Sequence, residues 1–408
     1  MSTIADDTHG GMRNVWIITA AMTVLAICYT MIIPFLPIYL LELGVPKADV
    51  ALWSGLVFGI TFLIAGIMAP IWGKIADNKG KKRMALRAGF AIAFCYVLIG
   101  LVTDQYQLLM GRALVGFANG FYPAAMTMVS LSVDEKQVGR ALGIFQTGLI
   151  LGNVIGPFLG GAVESVVGMR PVFYVSGVAV FIATLAVLFF VKEPKLHSAG
   201  ADGQSAEHPK STSLREDFKA VQQQPVLVRL LWIFFFMQCV IMMLQPILAL
   251  YVGDMQGTME GAAIVSGTIL SIGGLAGSLT TNLWVRLGER RGYFKTISYC
   301  MMGSGIVLLL QSLPVGIWWF GVLQVLIGSC IVGINPSLSA AVTLNTDPSF
   351  RGRMFGMTTT AQQFGSMVGP VFASIVSTYV GISYVFSITG LLLLYMGFQS
   401  RKLSKKHE

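Results

Sequence analysis

Residues 148–161 read Gly-Leu-Ile-Leu-Gly-Asn-Val-Ile-Gly-Pro-Phe-Leu-Gly-Gly. The run is apolar, repeats glycine every fourth residue at Gly148, Gly152, Gly156 and Gly160, and has Pro157 and Gly161 beside two of them. Glycine at every fourth residue clears one face of a helix, so that a second backbone can approach closely. Proline in the same run removes a backbone donor and bends the helix, which a membrane tolerates where neighbouring helices satisfy the freed carbonyl. The stretch reads as a helix-packing hinge rather than a catalytic loop.

The same pattern returns half a chain later. Gly365, Gly369 and Pro370 repeat Gly152, Gly156 and Pro157 at an offset of 213 (152 to 365), and Gly352-Arg353 repeats Gly139-Arg140. Pro123 and Pro336, and Gly168 and Gly381, share that offset. At an offset of 212 (34 to 246), Pro34, Tyr39 and Ser54-Gly55 return as Pro246, Tyr251 and Ser266-Gly267. Two homologous halves are expected.

Composition sets the solvent. Of 408 residues 55% are hydrophobic and 12% charged, with mean hydropathy +0.72, more apolar surface than a soluble core hides. Twelve runs reach the ~20 helical residues that span a hydrocarbon core, which predicts an all-α membrane protein of two pseudo-symmetric six-helix bundles. The net charge of +9 does not indicate nucleic acid, because the Lys and Arg residues gather in alternate connections. With the N-terminus cytoplasmic, all but Lys47, Arg112 and Arg170 fall on the cytoplasmic side or its membrane edge, the positive-inside pattern. Cys28, Cys95, Cys239, Cys300 and Cys330 all lie in apolar runs without a CxxC pair. Neither a disulfide nor a metal site is expected. The first apolar run is too long for a cleavable signal peptide.

In order, the reading is a polar cytoplasmic tail 1–13, a first bundle 14–191, a cytoplasmic linker 192–225, a second bundle 226–400 and a basic cytoplasmic tail 401–408. The first helix runs from about Asn14 to Leu41, with Pro34 and Pro37 bending its outer end, and helices 3 and 4 meet at the short turn Thr103-Asp104. The linker is polar and Gly/Ser-rich, with an amphipathic stretch at 214–224. Helices 7 to 12 are expected at about 226–252, 258–285, 294–312, 316–343, 354–379 and 382–400.

The connection 73–83 has specific content: Gly73, Asp77, Gly80, Lys81, Lys82 and Arg83. The glycines permit tight backbone at a helix end, Asp77 suits a helix N-terminus, and the cations suit the inner leaflet. A second copy at 286–295 places Glu289 and Gly292 correspondingly. This pattern resembles the loop between helices 2 and 3 of the major facilitator superfamily, with Asn78 where that family usually has a basic residue. The resemblance implies that the acid and its basic partners latch the cytoplasmic ends of the halves in the outward-open state.

Two more motifs carry the likeness. Arg112, followed by Gly116 and Gly120, resembles the helix-4 motif of proton-coupled exporters, which implies a proton-coupling role for Arg112 and Gly116. A guanidinium within a span marks a cavity or relay by default, and snorkelling to the outer interface is the alternative. The 148–161 stretch resembles the helix-5 motif of the drug/proton antiporter branch, with every glycine and Pro157 in place. Residues 33–39, 53–55 and 119–123 extend the likeness to twelve-helix bacterial multidrug exporters.

Tyr29, Asn119, Tyr122, Asn153, Gln238, Gln245, Asn335 and Gln362 lie near mid-helix and are candidate cavity residues, each equally suited to interhelical hydrogen bonding. No Asp or Glu lies deep in an expected span, and His9, His197, His208 and His407 are in the tails or linker. The resemblance implies a monomeric secondary transporter of the bacterial cytoplasmic membrane. It would export amphipathic drugs against protons, with membrane lipids as surroundings and no cofactor. A transporter of one metabolite is the first rival. A membrane enzyme or receptor is the second, disfavoured because no His and no buried carboxylate lies within the bilayer to complete a nucleophile, base or metal cluster and no signalling domain is attached. No Gly-x-x-x-x-Gly-Lys-Ser/Thr signature occurs, so energy is expected from a gradient.

Overall fold

The computed structural model describes residues 4–192, 221–313, 316–347 and 350–407. Every regular element in them is helical. The first half contains α1 (Ile4–Ile32), α2 (Leu36–Glu42), α3 (Lys47–Lys79), α4 (Lys81–Gly100), α5 (Gln105–Ala118), α6 (Phe121–Leu131), α7 (Glu135–Val167) and α8 (Met169–Phe190). The second contains α9 (Pro225–Gln256), α10 (Ala262–Arg291), α11 (Tyr293–Gln311), α12 (Ile317–Ile331), α13 (Ile334–Leu344), α14 (Arg351–Tyr379) and α15 (Ile382–His407). Taking α1–α2, α5–α6 and α12–α13 as interrupted helices leaves twelve.

Among the described residues eleven helices are long and apolar enough to cross a membrane. α14 is as long but more polar, since it carries Thr358, Thr359, Thr360, Gln362 and Gln363. It runs between α3 of the first half and α9 of its own half, where polar side chains have protein around them. α1 begins at Ile4, inside the stretch read as a tail, and α15 continues through the basic tail to His407. Most of the linker lies outside the described residues.

The first helix is interrupted rather than merely bent. A 3-10 turn at Ile33–Phe35 separates α1 from α2, because Pro34 has no N–H and its ring obstructs the preceding turn. At the far end of the bundle, Asp104 caps α5 by accepting from the Tyr106 and Gln107 amides at 2.8 and 2.9 Å. With that cap, the connection between α4 and α5 needs four residues, 101–104, two more than the Thr103-Asp104 turn read from the sequence.

The duplication is visible in individual bonds. Tyr39 donates its hydroxyl to the Ile99 carbonyl at 2.9 Å, and Tyr251 donates to Gln311 at 3.3 Å. Both partners are displaced by the same 212 residues (39 to 251, 99 to 311). Gly80 and Gly292 end α3 and α10 with φ 94° and 89°, a conformation that side chains other than glycine rarely adopt. Each half has its own apolar core, around Phe58, Phe145 and Phe173 in one and Phe234, Phe320 and Phe386 in the other.

The glycine face of α7 lies directly on α1. A methyl group added at Gly148 would stand 2.6 Å from the Thr23 hydroxyl, one at Gly152 2.7 Å from the Thr23 carbonyl oxygen, one at Gly156 2.8 Å from that of Ile27, and one at Gly160 2.7 Å from the Phe35 ring. Gly148 differs from the others in what it meets. Side chains of Thr19 and Thr23 stand nearest it, whereas Gly152 and Gly156 also meet α1 backbone within 3 Å. The closest backbone approach therefore begins at Gly152, one turn later than the sequence run. In the second half, methyls at Gly365 and Gly369 would meet the Phe235 carbonyl and, at 2.6 Å, that of Cys239. The sequence echo therefore marks two equivalent backbone-to-backbone seams, α1–α7 and α9–α14. α7 stays helical through Pro157.

Glycine also joins the halves. Gly55 meets Pro370 and Ser374, Gly59 meets Met367 and Val371, Gly267 meets the Pro157 carbonyl, and Gly161 meets Ala263 and Ile264. The Phe158 amide donates to Ser271 Oγ at 3.1 Å across this boundary. These contacts lie toward the end away from the 73–83 connection. Toward the basic end, Gly66, Gly73, Gly139, Gly143 and Gly356 have open space where a Cβ would stand. Ile67, Ile71, Leu279 and Leu283 of α3 and α10 are exposed there. The halves touch at the far end and part at the basic end.

Gly156→Leu is expected to destabilise the detergent-solubilised protein by ~1–3 kcal/mol or more, the usual range for overpacking. Ile155→Leu, on an exposed face of the same helix, is expected to be neutral. Thermal unfolding of both variants checks this, and equal melting temperatures would contradict close packing at Gly156.

Candidate functional site

Arg112 is the centre of the candidate site. It lies seven residues into α5, about 10 Å below its first residue at 1.5 Å per residue, and its side chain is 0% exposed. α3 holds the backbone at this point: Thr61 Oγ1 donates to the Arg112 carbonyl at 3.1 Å, and Gly116 lies against the Thr61 carbonyl. The guanidinium carbon is 5.7 Å from the centre of the Phe58 ring. Tyr29 of α1 and Tyr96 of α4 are its electrostatic neighbours.

The guanidinium neither snorkels nor binds backbone carbonyls. Nε, Nη1 and Nη2 are all buried and have no hydrogen-bond partner among the described residues. Breaking a buried charge from its partner costs ~3–5 kcal/mol, so the group is poised to take an acceptor from outside the fold. Chemically, the arrangement can hold water, an anionic group, or an acid whose proton affinity the cation lowers.

The fold gives the second half a different group here. Gln324 stands at the position equivalent to Arg112 (112 to 324), and its Oε1 accepts from Gln311 Nε2 at 3.0 Å. The second copy is a neutral amide whose oxygen has a partner. The first is an unsatisfied cation.

The remaining sequence candidates are dispersed. Tyr29 is the candidate cavity residue that the fold brings to Arg112. Asn119 is exposed and its Oδ1 accepts from the Gly120 amide at 2.8 Å. Tyr122 accepts from Gln146 Nε2 at 3.1 Å. Asn153 on α7 and Asn335 on α13 are exposed. Gln238 packs against Gly365, Gln245 has a buried Oε1 without a partner among the described residues, and Gln362 is half-buried on α14. At the basic end Gly73, Arg83, Glu289 and Gly292 are exposed, and Lys81 and Lys82 half-buried. Lys82 Nζ donates to the Leu188 carbonyl at 2.9 Å. The Asp77 side chain lies outside the described set.

A second cluster was not found from the sequence. The helix of α5 and α6 breaks at Asn119–Gly120, where Gly120 has φ 136°, and three carbonyls lose their helical partners. Trp72 Nε1 donates to the Phe117 carbonyl at 2.8 Å. Arg87 Nη2 donates to the Ala118 and Asn119 carbonyls at 3.2 and 3.1 Å, while its guanidinium stacks 3.5 Å from the Trp72 ring centre. Trp284 repeats part of this cap, donating to Ser329 at 2.6 Å beside the break between α12 and α13. The offset of 212 between Trp72 and Trp284 was the available signal. Arg87 had none, because it reads as one more positive-inside cation.

The Major Facilitator Superfamily model matches residues 18–310 and 263–401. The chain belongs to the major facilitator superfamily. It is 31% identical over 384 residues to multidrug resistance protein MdtG of Proteus mirabilis (strain HI4320), covering 94% of each chain. To multidrug resistance protein MdtG of Enterobacter lignolyticus (strain SCF1) it is 30% identical over 384 residues, covering 94% of this chain and 90% of the relative. Among solved structures, a crystal structure of nucleoside transporter NupG matches with TM-score 0.77 at 14% identity, covering 95% of this chain and 99% of that one. A bacterial homolog of the human lysosomal transporter Spinster, in an inward-facing and unoccupied conformation, matches with TM-score 0.75 at 17% identity over 97% of both chains. At those identities the structural matches show the major facilitator fold alone.

Arg87→Ala is expected to expose the Ala118 and Asn119 carbonyls and to cost ~1–3 kcal/mol, the range for buried groups left unsatisfied. Hydrogen exchange at the start of α6 should quicken relative to α8. Unchanged exchange would mean that Arg87 does not hold the break.

Proposed function

We propose that this protein is a secondary active exporter of amphipathic toxic compounds in the bacterial cytoplasmic membrane, driven by proton antiport and working as a monomer by alternating access. The observation that carries the reading is its full-length likeness to proteins called multidrug resistance protein MdtG. The positive-inside pattern puts both termini and the 73–83 connection in the cytoplasm, so the parted basic ends correspond to an inward-facing state. Rocking of the halves about their far-end contacts then opens the opposite face. The unsatisfied Arg112 supports a coupling role: its field lowers the proton affinity of an acid or favours an anionic substrate in the inward-facing state.

The cavity chemistry also bears on substrate class. A buried permanent cation needs an opposite charge to offset its lost hydration, and the expected spans offer no central carboxylate. A positive field near Arg112 favours neutral or anionic amphiphiles over quaternary ammonium compounds. The rival reading, transport of one metabolite, predicts protection against a single compound rather than a range.

Everted vesicles test the main proposal. Vesicles with the wild-type protein should accumulate a neutral or acidic amphiphile and dissipate an imposed pH gradient. Arg112→Ala should lose both activities while Arg112→Lys retains part. Strong efflux of a quaternary cation, unchanged in Arg112→Ala, would contradict the charge argument.

Asp77→Asn should leave membrane insertion intact and nearly abolish export, because the outward-open state loses a charged tie between the halves. Surface labelling checks insertion, and a susceptibility panel in a pump-deleted host checks export. Normal resistance would remove Asp77 from the latch.

A further inference from the structure

A groove separates α9 from α15 near the basic end. It encloses about 330 Å³ and is lined by Arg229, Trp232, Ile233 and Phe236 of α9 and by Tyr395, Met396 and Gln399 of α15. The α9 residues recur at three- and four-residue spacing, so one helix stripe forms one wall. From Arg229 to Phe236 that wall runs about 10 Å along the helix. We propose that this groove binds an anionic phospholipid of the leaflet at the basic end, with the phosphate on Arg229 and an acyl chain along Trp232 and Phe236.

Charge and shape agree on that occupant. Arg229 is exposed at the mouth of the groove, as are Arg401 and Lys402 further along α15. Lys402 continues the stripe of Tyr395 and Gln399. No Asp or Glu occurs between Pro225 and Gly253 or between Ile382 and His407, so neither helix carries an acid that competes with a phosphate for these cations. Deeper in the groove the surface is aromatic: Trp232 stacks on Phe236 with ring centres 5.6 Å apart, and Gln399 Nε2 donates to the Tyr395 hydroxyl at 3.0 Å. Trp232 is 55% and Tyr395 61% exposed, which leaves part of each ring available to a lipid chain. A cation at headgroup level above an amphipathic aromatic lining is the pattern of basic lipid pockets between transmembrane helices.

The internal repeat supplies a control. The first-half positions equivalent to Arg229, Trp232, Ile233 and Phe236 are Ile17, Ala20, Ala21 and Val24. That stripe has no cation and no aromatic ring. Duplication therefore does not account for the groove.

Native mass spectrometry of the full chain, titrated with phosphatidylglycerol or phosphatidylcholine in non-ionic detergent, tests the proposal. The wild type should retain one phosphatidylglycerol and prefer it over phosphatidylcholine by about fivefold, the contribution of one cation near an anionic headgroup. Arg229→Gln should lose the preference, Arg229→Lys should keep it, and Trp232→Leu should weaken retention of both lipids. Equal retention of the two lipids by the wild type overturns the proposal without reference to any variant. An unchanged preference in a folded Arg229→Gln overturns it as well.

Discussion

Close approach of one helix backbone to another is the constraint on which this structure depends. Inside a bilayer, lipid is as apolar as leucine, so helices gain little by merely burying hydrophobic surface against each other. Association rests on dispersion contacts made where backbones nearly touch. α7 and α14 satisfy that requirement with glycine against α1 and α9, and the halves satisfy it again where Gly55, Gly161 and Gly267 meet partner backbones. The second set lies only toward the far end. A two-half molecule joined at one end can rock, and the open glycine positions toward the basic end leave room for it to do so.

Duplication gives the scaffold, and departures from duplication give the chemistry. The tyrosine-to-carbonyl bonds of Tyr39 and Tyr251 and the Trp72 and Trp284 caps are shared by both halves. They serve interrupted or neighbouring helices that any major facilitator bundle must stabilise. Arg112 and Gln324 differ at equivalent positions, as do Arg229 and Ile17. In each case a charge stands where the other copy is neutral, and charges in a membrane persist where they act on something. The Arg112 guanidinium is buried without a hydrogen-bond partner among the described residues, and under the proposed transport cycle that cost ties the conformational equilibrium to occupancy of the site.

Much of the fold was legible because membrane constraints are coarse. Hydropathy gives the spans, and the repeated Gly-Gly-Pro spacing of 152–157 and 365–370 gives the two seams that the structure places on α1 and α9. Gly148 shows the limit of that spacing, since its place in the run does not reveal that threonine side chains, not backbone, stand nearest it. The interruption at Ile33–Phe35 was legible only as a bend, since Pro34 and Pro37 restrict the chain without specifying how it relaxes. The break at Asn119–Gly120 was not read at all, because an Asn-Gly pair is isolated within an otherwise continuous apolar run. Site residues were harder still. Arg112 announced itself by being charged where charge is costly, whereas Arg87 looked like an ordinary inner-edge cation until its bonds to Ala118 and Asn119 were located. The mid-helix Asn and Gln candidates share composition but not a common contact, and composition does not report direction.

Rocking of the halves, which opens one end as it closes the other, is open to direct measurement. α3 and α14 belong to different halves and pack on each other across the boundary, so one pair of spin labels at each end of them reports the motion. Lys47→Cys with Tyr379→Cys marks the far end, and Ile71→Cys with Phe355→Cys marks the basic end, each in a background where the five native cysteines are replaced. Pulsed electron resonance distances are then measured in nanodiscs with and without a transported amphiphile. Rocking predicts a population in which the far-end distance lengthens and the basic-end distance shortens together. Distances that change at one end alone, or in the same direction at both, would contradict it.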